Sequence, residues 1–189
     1  MVVKVVFVLI NTNNMKCKHC KTKFIPKRFL MKYCCETEEC AKAFNEFAKA
    51  KMQKNWNKEK KVIKENLMTK GDWIKICQTH FNTYIRLRDA HLPCISCGVY
   101  NCEEFHAGHY IATTYQFLRF NELNVHKQCS KCNTHLRGNS IPYRINLIKK
   151  IGLKAVEKLE NERHLNFELD INGIKELTEL YKQKIKDLK

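Results

Sequence analysis

Apolar residues recur three and four positions apart in two long segments of the chain, 41–70 and 71–93. Such spacing places the apolar side chains on one face of a helix. In the first segment these residues are Phe44, Phe47, Ala48, Met52 and Trp56; in the second they are Trp73, Ile76, Cys77, Phe81, Tyr84 and Leu87. The other faces of the first segment are nearly all Lys, so the pattern predicts a basic helical connector over 41–70. Cys77 lies on the apolar stripe, which predicts a small buried side chain.

Outside the first of these segments, composition divides the chain into four parts. Residues 1–14 form an apolar extension that need not be the native start, since Met15 opens a plausible frame of its own. Residues 15–40 are a small Cys-rich module, and residues 71–140 combine the second helix with a Cys/His-rich region. Residues 141–189 are amphipathic and predict two helices, the first of them interrupted at Gly152.

The chain has a formal net charge of +16 over 189 residues. A surface of that charge is suited to a polyanion, so nucleic acid is the expected partner and a membrane is not. The residues expected to contact phosphates are Arg119, Arg137, Arg144, Lys51, Lys54 and Lys58. No segment resembles a base-reading element, so recognition by shape is expected.

Six of the eleven cysteines form three C-x2-C pairs. In a reducing compartment this spacing indicates zinc rather than disulfides. The opening segment has no small-residue cleavage site after its short apolar run, so a cytoplasmic location is expected.

Two groups of four thiolates are predicted to hold structural Zn²⁺. The central group is Cys94, Cys97, Cys129 and Cys132, and Cys102 is rejected because its spacing is poorer. The N-terminal group is Cys17, Cys20, Cys40 and either Cys35 or Cys34, of which Cys35 is preferred. A hairpin and a helix fixed by one ion form a treble clef, so the expected fold is α+β.

The segment HAGHY, His106 to Tyr110, lies between the central cysteine pairs. Because those four thiolates complete a zinc site, His106 and His109 are not needed to hold the fold. His126 and His135 follow closely, and an ordinary core uses few histidines. A second, functional site is therefore predicted in this region.

Long stretches around these residues closely resemble the NinG (Rap) family of phage recombination proteins, within the wider HNH, or ββα-metal, endonucleases. The stretches are YIRLRDA, LPCISCG, HAGHY and RFNELNVHKQCS. The resemblance runs from about Cys17 to the C-terminal helices. It implies a treble-clef ββα-metal core with a small N-terminal zinc module and flanking long helices. The spacing to Cys40 departs from the tighter C-x3-C of the family.

The resemblance implies an endonuclease that nicks branched recombination intermediates, such as D-loops and Holliday junctions, inside a phage-carrying bacterial host. The first His of the HNH signature falls on His109, expected as the general base, and the middle Asn falls on Asn124, expected to orient the His109 loop. The usual Asp ligand is replaced by Gly108. A catalytic Mg²⁺ or Mn²⁺ is therefore expected at His106, Asn133 and His135. Junction-cleaving enzymes usually act in pairs, so a homodimer is considered.

In a regular strand, residues 106 and 109 point to opposite faces. A site shared by both histidines therefore predicts a bulge at Gly108. The alternative function is a non-catalytic double-zinc nucleic-acid-binding protein, which the basic charge and the two zinc sites suit equally well.

Overall fold

The structure, a computed structural model, describes residues 15–27, 31–165 and 168–189. The predicted extension 1–14 lies outside the described residues. The chain divides into two compact units, Met1–Leu67 and Met68–Lys189. Helices and two small antiparallel sheets make up the described part, so the α+β prediction is confirmed.

The first unit pairs a short hairpin with one long helix. Strands β1 (Met15–Lys16) and β2 (Lys23–Phe24) are antiparallel, and helix α1 spans Glu38–Asn66. The Thr37 side chain caps α1 by accepting from the backbone N–H of Cys40. The helix predicted over 41–70 therefore begins inside the Cys-rich module. Among the described residues of α1, Cys40 alone is buried. The apolar stripe that follows it along the helix is largely exposed.

The second unit surrounds a two-stranded sheet with helices. In chain order it comprises α2 (Lys70–Arg88), β3 (Phe105–His109), a 3-10 turn (Gln116–Leu118), β4 (Val125–Cys129), a π-helical turn (Lys131–His135), α3 (Ser140–Ile151), α4 (Leu153–Glu162) and α5 (Ile171–Asp187). Gly152, with φ of +85°, separates α3 from α4 as predicted. Within the described ranges no helix combines the length and apolarity needed to cross a membrane.

Strands β3 and β4 pair residue for residue, from Phe105 opposite Cys129 to His109 opposite Val125. The bulge predicted at Gly108 is therefore wrong. Gly108 is instead needed for close packing, because a Cβ there would lie 2.1 Å from Oε1 of Gln128, a side chain of the neighbouring strand. The regular pleat sends His106 and His109 to opposite faces of the sheet.

Each face of the sheet packs on a different set of helices. On one face, Ala107 and Val125 pack against Phe81 and Ile85 of α2 and Tyr181 of α5. Cys77 is fully buried, as predicted.

On the opposite face, the Tyr143 hydroxyl of α3 donates to the backbone oxygen of Gly108 over 2.8 Å. Tyr143 also belongs to a second core of α3, α4 and the 3-10 turn. The short sheet is therefore covered on both sides.

A buried ion cluster fixes the end of α2 to β4 and α3. Arg88 binds both carboxylate oxygens of Asp89, at 2.9 and 2.8 Å, and Lys150 lies 3.4 Å from the same carboxylate. His126 accepts at Nδ1 from Arg88 and Lys150, both at 2.9 Å, and donates from Nε2 to the Leu123 carbonyl. Burial and the two cations lower the pKa of His126, so its ring is neutral.

The lowered pKa predicts that the chain loses stability on mild acidification. Above the unfolded-state histidine pKa of about 6.5, both states hold His126 neutral, so the contribution to stability is complete. Below that pH the unfolded chain binds a proton that the folded chain resists. The free energy of unfolding should then fall by up to about 1.4 kcal/mol per pH unit for each such histidine. Urea unfolding from pH 7.5 to 5.5, with bound zinc monitored, measures the slope.

Two variants test the assignment to His126. His126→Gln should reduce the slope, whereas His135→Gln, which changes an exposed histidine, should leave it intact. A parent protein whose stability is constant over this pH range would contradict the assignment.

Candidate metal centres and functional site

Four cysteines of the first unit converge on one point. The Sγ atoms of Cys17, Cys20, Cys34 and Cys40 lie within 4.8 Å of one another. The Cys17–Cys40 and Cys20–Cys34 separations are 4.0 and 3.7 Å. Tetrahedral Zn²⁺ with Zn–S bonds of about 2.3 Å needs sulfurs about 3.8 Å apart. The group therefore fits a structural zinc ion.

The fourth member of this group is Cys34, so the preference for Cys35 over Cys34 was wrong. The backbone N–H of Cys34 donates to Cys17 Sγ over 3.4 Å, which directs Cys34 into the cluster. Cys35 has φ of +56° and is exposed, and its thiol turns back to the Tyr33 carbonyl. The left-handed backbone at Cys35 thus carries the chain out of the cluster and on toward α1.

The second unit holds the other predicted group: Cys94, Cys97, Cys129 and Cys132. Its Sγ atoms also lie within 4.8 Å of one another, and Cys97 is 3.7 Å from Cys129. Cys102 is outside the group, and its thiol donates to the Glu104 carbonyl. Both clusters therefore have the ligand number and spacing of structural zinc sites.

Electrostatics within the second cluster also favours a cation. Burial opposes ionisation of Cys94, but backbone N–H groups outweigh burial and lower its pKa. Burial and the neighbouring thiols raise the pKa of Cys132 to about 12. Four thiolates so close together repel one another, and a bound dication removes that repulsion.

On the α3 side of the sheet, His106 and Asn133 meet. Asn133 Nδ2 lies 3.0 Å from His106 Nδ1, and His106 Nε2 lies 3.2 Å from a Glu104 carboxylate oxygen. Glu104, which precedes the strand and is exposed, was not among the residues predicted from the sequence. His135, the third predicted ligand, is exposed, and its side chain has no hydrogen bond or ion pair within the described part of the chain.

Gln128 lies on the same face of the sheet and was also missed. Its Nε2 donates to Ser96 Oγ and to the Gly138 carbonyl, at 2.7 and 2.6 Å. Its Oε1 is buried and has no hydrogen-bond partner among the described residues. Gln128 is opposite His106 in the register, so both side chains are on this face of the sheet, and the unused oxygen lies over Gly108.

His109 occupies the other face and is largely buried. Its ring lies against Phe81, with centroids 6.3 Å apart, and its Nε2 donates to the Arg119 carbonyl over 3.0 Å. Burial lowers the pKa of His109, so the ring is neutral at pH 7. The ring therefore keeps a lone pair on Nδ1.

Asn124 fixes the loop that follows His109. Its Oδ1 accepts from Ile111 N–H over 2.8 Å, and its Nδ2 donates to the carbonyls of Ile111 and Leu118, at 2.9 and 3.0 Å. The side chain is fully buried with all these bonds made. Asn124 has the geometry expected of a residue that positions the His109 loop.

The predicted phosphate-binding residues fall into two groups. Arg144 makes a two-point ion pair with Glu160, and Arg119 donates to the Thr113 carbonyl, so both guanidinium groups are committed to the fold. Arg137 and three lysines predicted from α1, Lys51, Lys54 and Lys58, are exposed, and none of the four forms an ion pair with a described residue. Only this second group is free to meet a polyanion.

The assignment of Cys34 over Cys35 is directly testable. Cys34→Ser should lower the zinc content from two ions to one per chain, because three thiolates and a hydroxyl hold the ion poorly. Cys35→Ser, one residue away, should retain both ions. Elemental analysis of the purified variants gives the stoichiometry. Equal zinc loss in the two variants would contradict the geometry.

Gly108→Ala should destabilise the second unit. The new Cβ would overlap Gln128, and overpacking of this kind costs about 1–3 kcal/mol. The control Gly71→Ala places its Cβ 3.7 Å from Thr69 Oγ1, an ordinary contact, and should be neutral or stabilising. Combining Gly108→Ala with Gln128→Ala should recover part of the loss. Urea unfolding measures all four proteins, and a Gly108→Ala protein as stable as the parent would refute the close packing.

Known proteins similar to this chain share one description. The family model described as Bacteriophage Lambda NinG protein matches residues 10–189. Protein ninG of Escherichia phage 933W is 38% identical over 188 residues, covering 92% of this chain and 93% of that protein. Protein ninG of Escherichia phage lambda is 45% identical over 130 residues, covering 68% of this chain and 63% of that protein.

The match to Protein ninG of Salmonella phage P22 is similar in extent, with 43% identity over 68% of this chain and 64% of that protein. This chain therefore spans less than two thirds of the lambda and P22 proteins. No solved structure matches it significantly. Because the family model covers nearly the whole sequence, the chain belongs to the NinG family.

Proposed function

We propose that this chain is a metal-dependent endonuclease that nicks branched DNA, with β3, β4 and the following helical turn forming an HNH-like core. The observation that carries the proposal is the meeting of His106 and Asn133 next to a complete four-thiolate group. A structural zinc ion there leaves both side chains free for a second ion. Strand β3, which carries His106, ends at His109, a neutral imidazole held by a backbone carbonyl.

The residues around His106 fit a divalent cation. His106 Nδ1 supplies a nitrogen ligand, and rotation of the Asn133 side-chain amide presents its oxygen beside it. The Glu104 carboxylate accepts from the other ring nitrogen, Nε2, and so holds the imidazole with Nδ1 toward the ion. The unused Gln128 oxygen on the same face is a further acceptor. Mg²⁺ or Mn²⁺ held by these groups would act as a Lewis acid on the scissile phosphate.

His109 is proposed as the general base. The carbonyl of Arg119 holds Nε2–H, so Nδ1 takes the proton from the attacking water. Burial keeps the imidazole neutral, and a neutral imidazole is the form that can act as a base. Asn124 would maintain this arrangement by fixing the backbone at Ile111 and Leu118.

Substrate binding is assigned to exposed cations. The α1 lysines and Arg137 are free to contact phosphates, which supply affinity without sequence information. Branched DNA such as D-loops and Holliday junctions is the proposed substrate. A homodimer is proposed as the acting form.

Two variants test the separate roles of His109 as general base and His106 as metal ligand. Purified, zinc-loaded protein should nick labelled four-way junctions and D-loops with Mg²⁺ or Mn²⁺, and linear duplex much less. His109→Gln, which can still donate to the Arg119 carbonyl, should lower the nicking rate at saturating metal by about 10²–10⁴-fold. His106→Ala should raise the metal concentration needed for half-maximal nicking.

His135→Ala is the matched control and should behave like the parent. All variants should keep two zinc ions and bind junctions in gel-shift assays. Absence of cleavage by the parent with either metal, or parental rates in His109→Gln, would refute the enzyme assignment.

One observation favours a second function, a non-catalytic double-zinc nucleic-acid-binding protein. His106 and His109 lie on opposite faces of a regular strand, and His109 is packed against Phe81. Under this alternative the histidines are structural and the two zinc sites only support a basic surface. Tight, salt-sensitive binding of junctions without cleavage is the result that would select it.

A further inference from the structure

We propose that a cavity beside the central cysteine cluster binds one unpaired nucleotide through its phosphate and base. The cavity measures about 360 Å³ and lies between the end of α2, the loop carrying Cys94 and the C-terminal half of α3. His106, His109, Asn124 and Asn133 do not line it. The proposal therefore goes beyond the nuclease assignment and does not depend on it.

The floor and rim of the cavity are rich in cations. Lys127, Lys149 and Lys150 line it, and Arg88 contacts its floor through Asp89 and His126. Asp89 is the one carboxylate among the described residues that line the cavity. Glu122, which lies near Arg88, is engaged by Lys184 and by the Tyr84 hydroxyl.

The balance of charge leaves room for an anion. Asp89 supplies one negative charge, and the adjacent four thiolates with Zn²⁺ would supply two more. Four cations, Arg88, Lys127, Lys149 and Lys150, exceed these by one positive charge. An uncompensated charge near a low-dielectric cavity attracts a counter-ion strongly. A phosphate group would supply that counter-ion.

Lys150 is held so that it can donate to a ligand. Its ammonium group lies 2.9 Å from His126 Nδ1 and 3.4 Å from an Asp89 oxygen, and both partner side chains are about 3% exposed. An ammonium group has three donors, so one remains for the cavity. His126 is neutral and accepts from both Arg88 and Lys150. It therefore fixes Lys150 in place without cancelling its charge.

The remaining walls are apolar, which favours a nucleoside attached to the phosphate. Leu92, Pro93 and Ile95 form them, and the side chain of Asn146 lines the cavity beside Lys149. Pockets that bind small organic ligands usually have volumes of about 300–1,000 Å³ and combine apolar walls with a few placed polar groups. At about 360 Å³ this one is at the small end, so it admits a single nucleotide and excludes a base pair.

Two sources could present this ligand, a free mononucleotide and an unpaired nucleotide in a DNA strand. The binding experiment uses the full-length, zinc-loaded chain. Calorimetric titrations compare dAMP with deoxyadenosine and with inorganic phosphate. Competition against a fluorescent mononucleotide then compares a single-stranded oligonucleotide with a blunt duplex of the same sequence. We expect dAMP to bind at least tenfold more tightly than either of its parts.

Lys150→Met keeps most of the side-chain volume and removes the cation, so it should weaken dAMP binding about 10–100-fold, the range for a lost hydrogen bond to a charged group. Lys150→Arg should restore most of the affinity. Lys154→Met, which removes an exposed lysine of α4 outside the cavity, is the matched control and should bind like the parent. Zinc content and thermal unfolding confirm that each variant is folded.

Competition by the oligonucleotide but not by the duplex assigns the ligand to unpaired DNA. Competition by mononucleotides alone assigns it to a soluble nucleotide. The proposal is overturned if dAMP does not bind saturably, if phosphate alone binds as tightly as dAMP, or if a folded Lys150→Met protein binds like the parent.

Discussion

The β3–β4 hairpin is too small to be stable alone, and the whole second unit is organised around holding it. A two-stranded antiparallel sheet in water is marginal at best. One end of β4 is fixed where Cys129 joins the four-thiolate group, and the other end is fixed by the buried hydrogen bonds of Asn124. Helices α2 and α5 cover one face, and α3 covers the other.

Fixing the hairpin at both ends also fixes its register, and the register decides which side chains can act together. His106 and Gln128 face the helical turn that carries Asn133, whereas His109 faces α2. The close fit of Gln128 over Gly108 resists a shift of the register, because sliding by one residue would place a Cβ where only a hydrogen fits. The separation of the two histidines is thus built into the packing of the sheet.

Structural features that depend on short-range residue spacing could be predicted from the sequence. Side-chain contacts between residues distant in the chain could not. Short cysteine spacings and helical periodicity predicted two groups of four cysteines with the spacing of zinc sites, the burial of Cys77 and the break at Gly152. No local pattern signals that Arg144 pairs with Glu160, a partner sixteen positions away on another helix. The choice of Cys34 over Cys35 depends on one backbone angle, and the strand bulge was an inference from the assumed common site rather than from the residues themselves.

The ion pairs within the chain determine which of the cations behind its net charge of +16 remain free to contact a polyanion. In the second unit, Arg88, Arg144 and Lys184 form ion pairs with buried or half-buried carboxylates. In the first unit, α1 carries exposed lysines such as Lys51 and Lys54 with no such partner in the described chain. Affinity for a polyanion depends on the cations that remain free, because only these release counter-ions from the phosphates when they bind. The exposed lysines of α1 are therefore the cations available for such contacts, whereas Arg88, Arg144 and Lys184 hold together the fold around the candidate site.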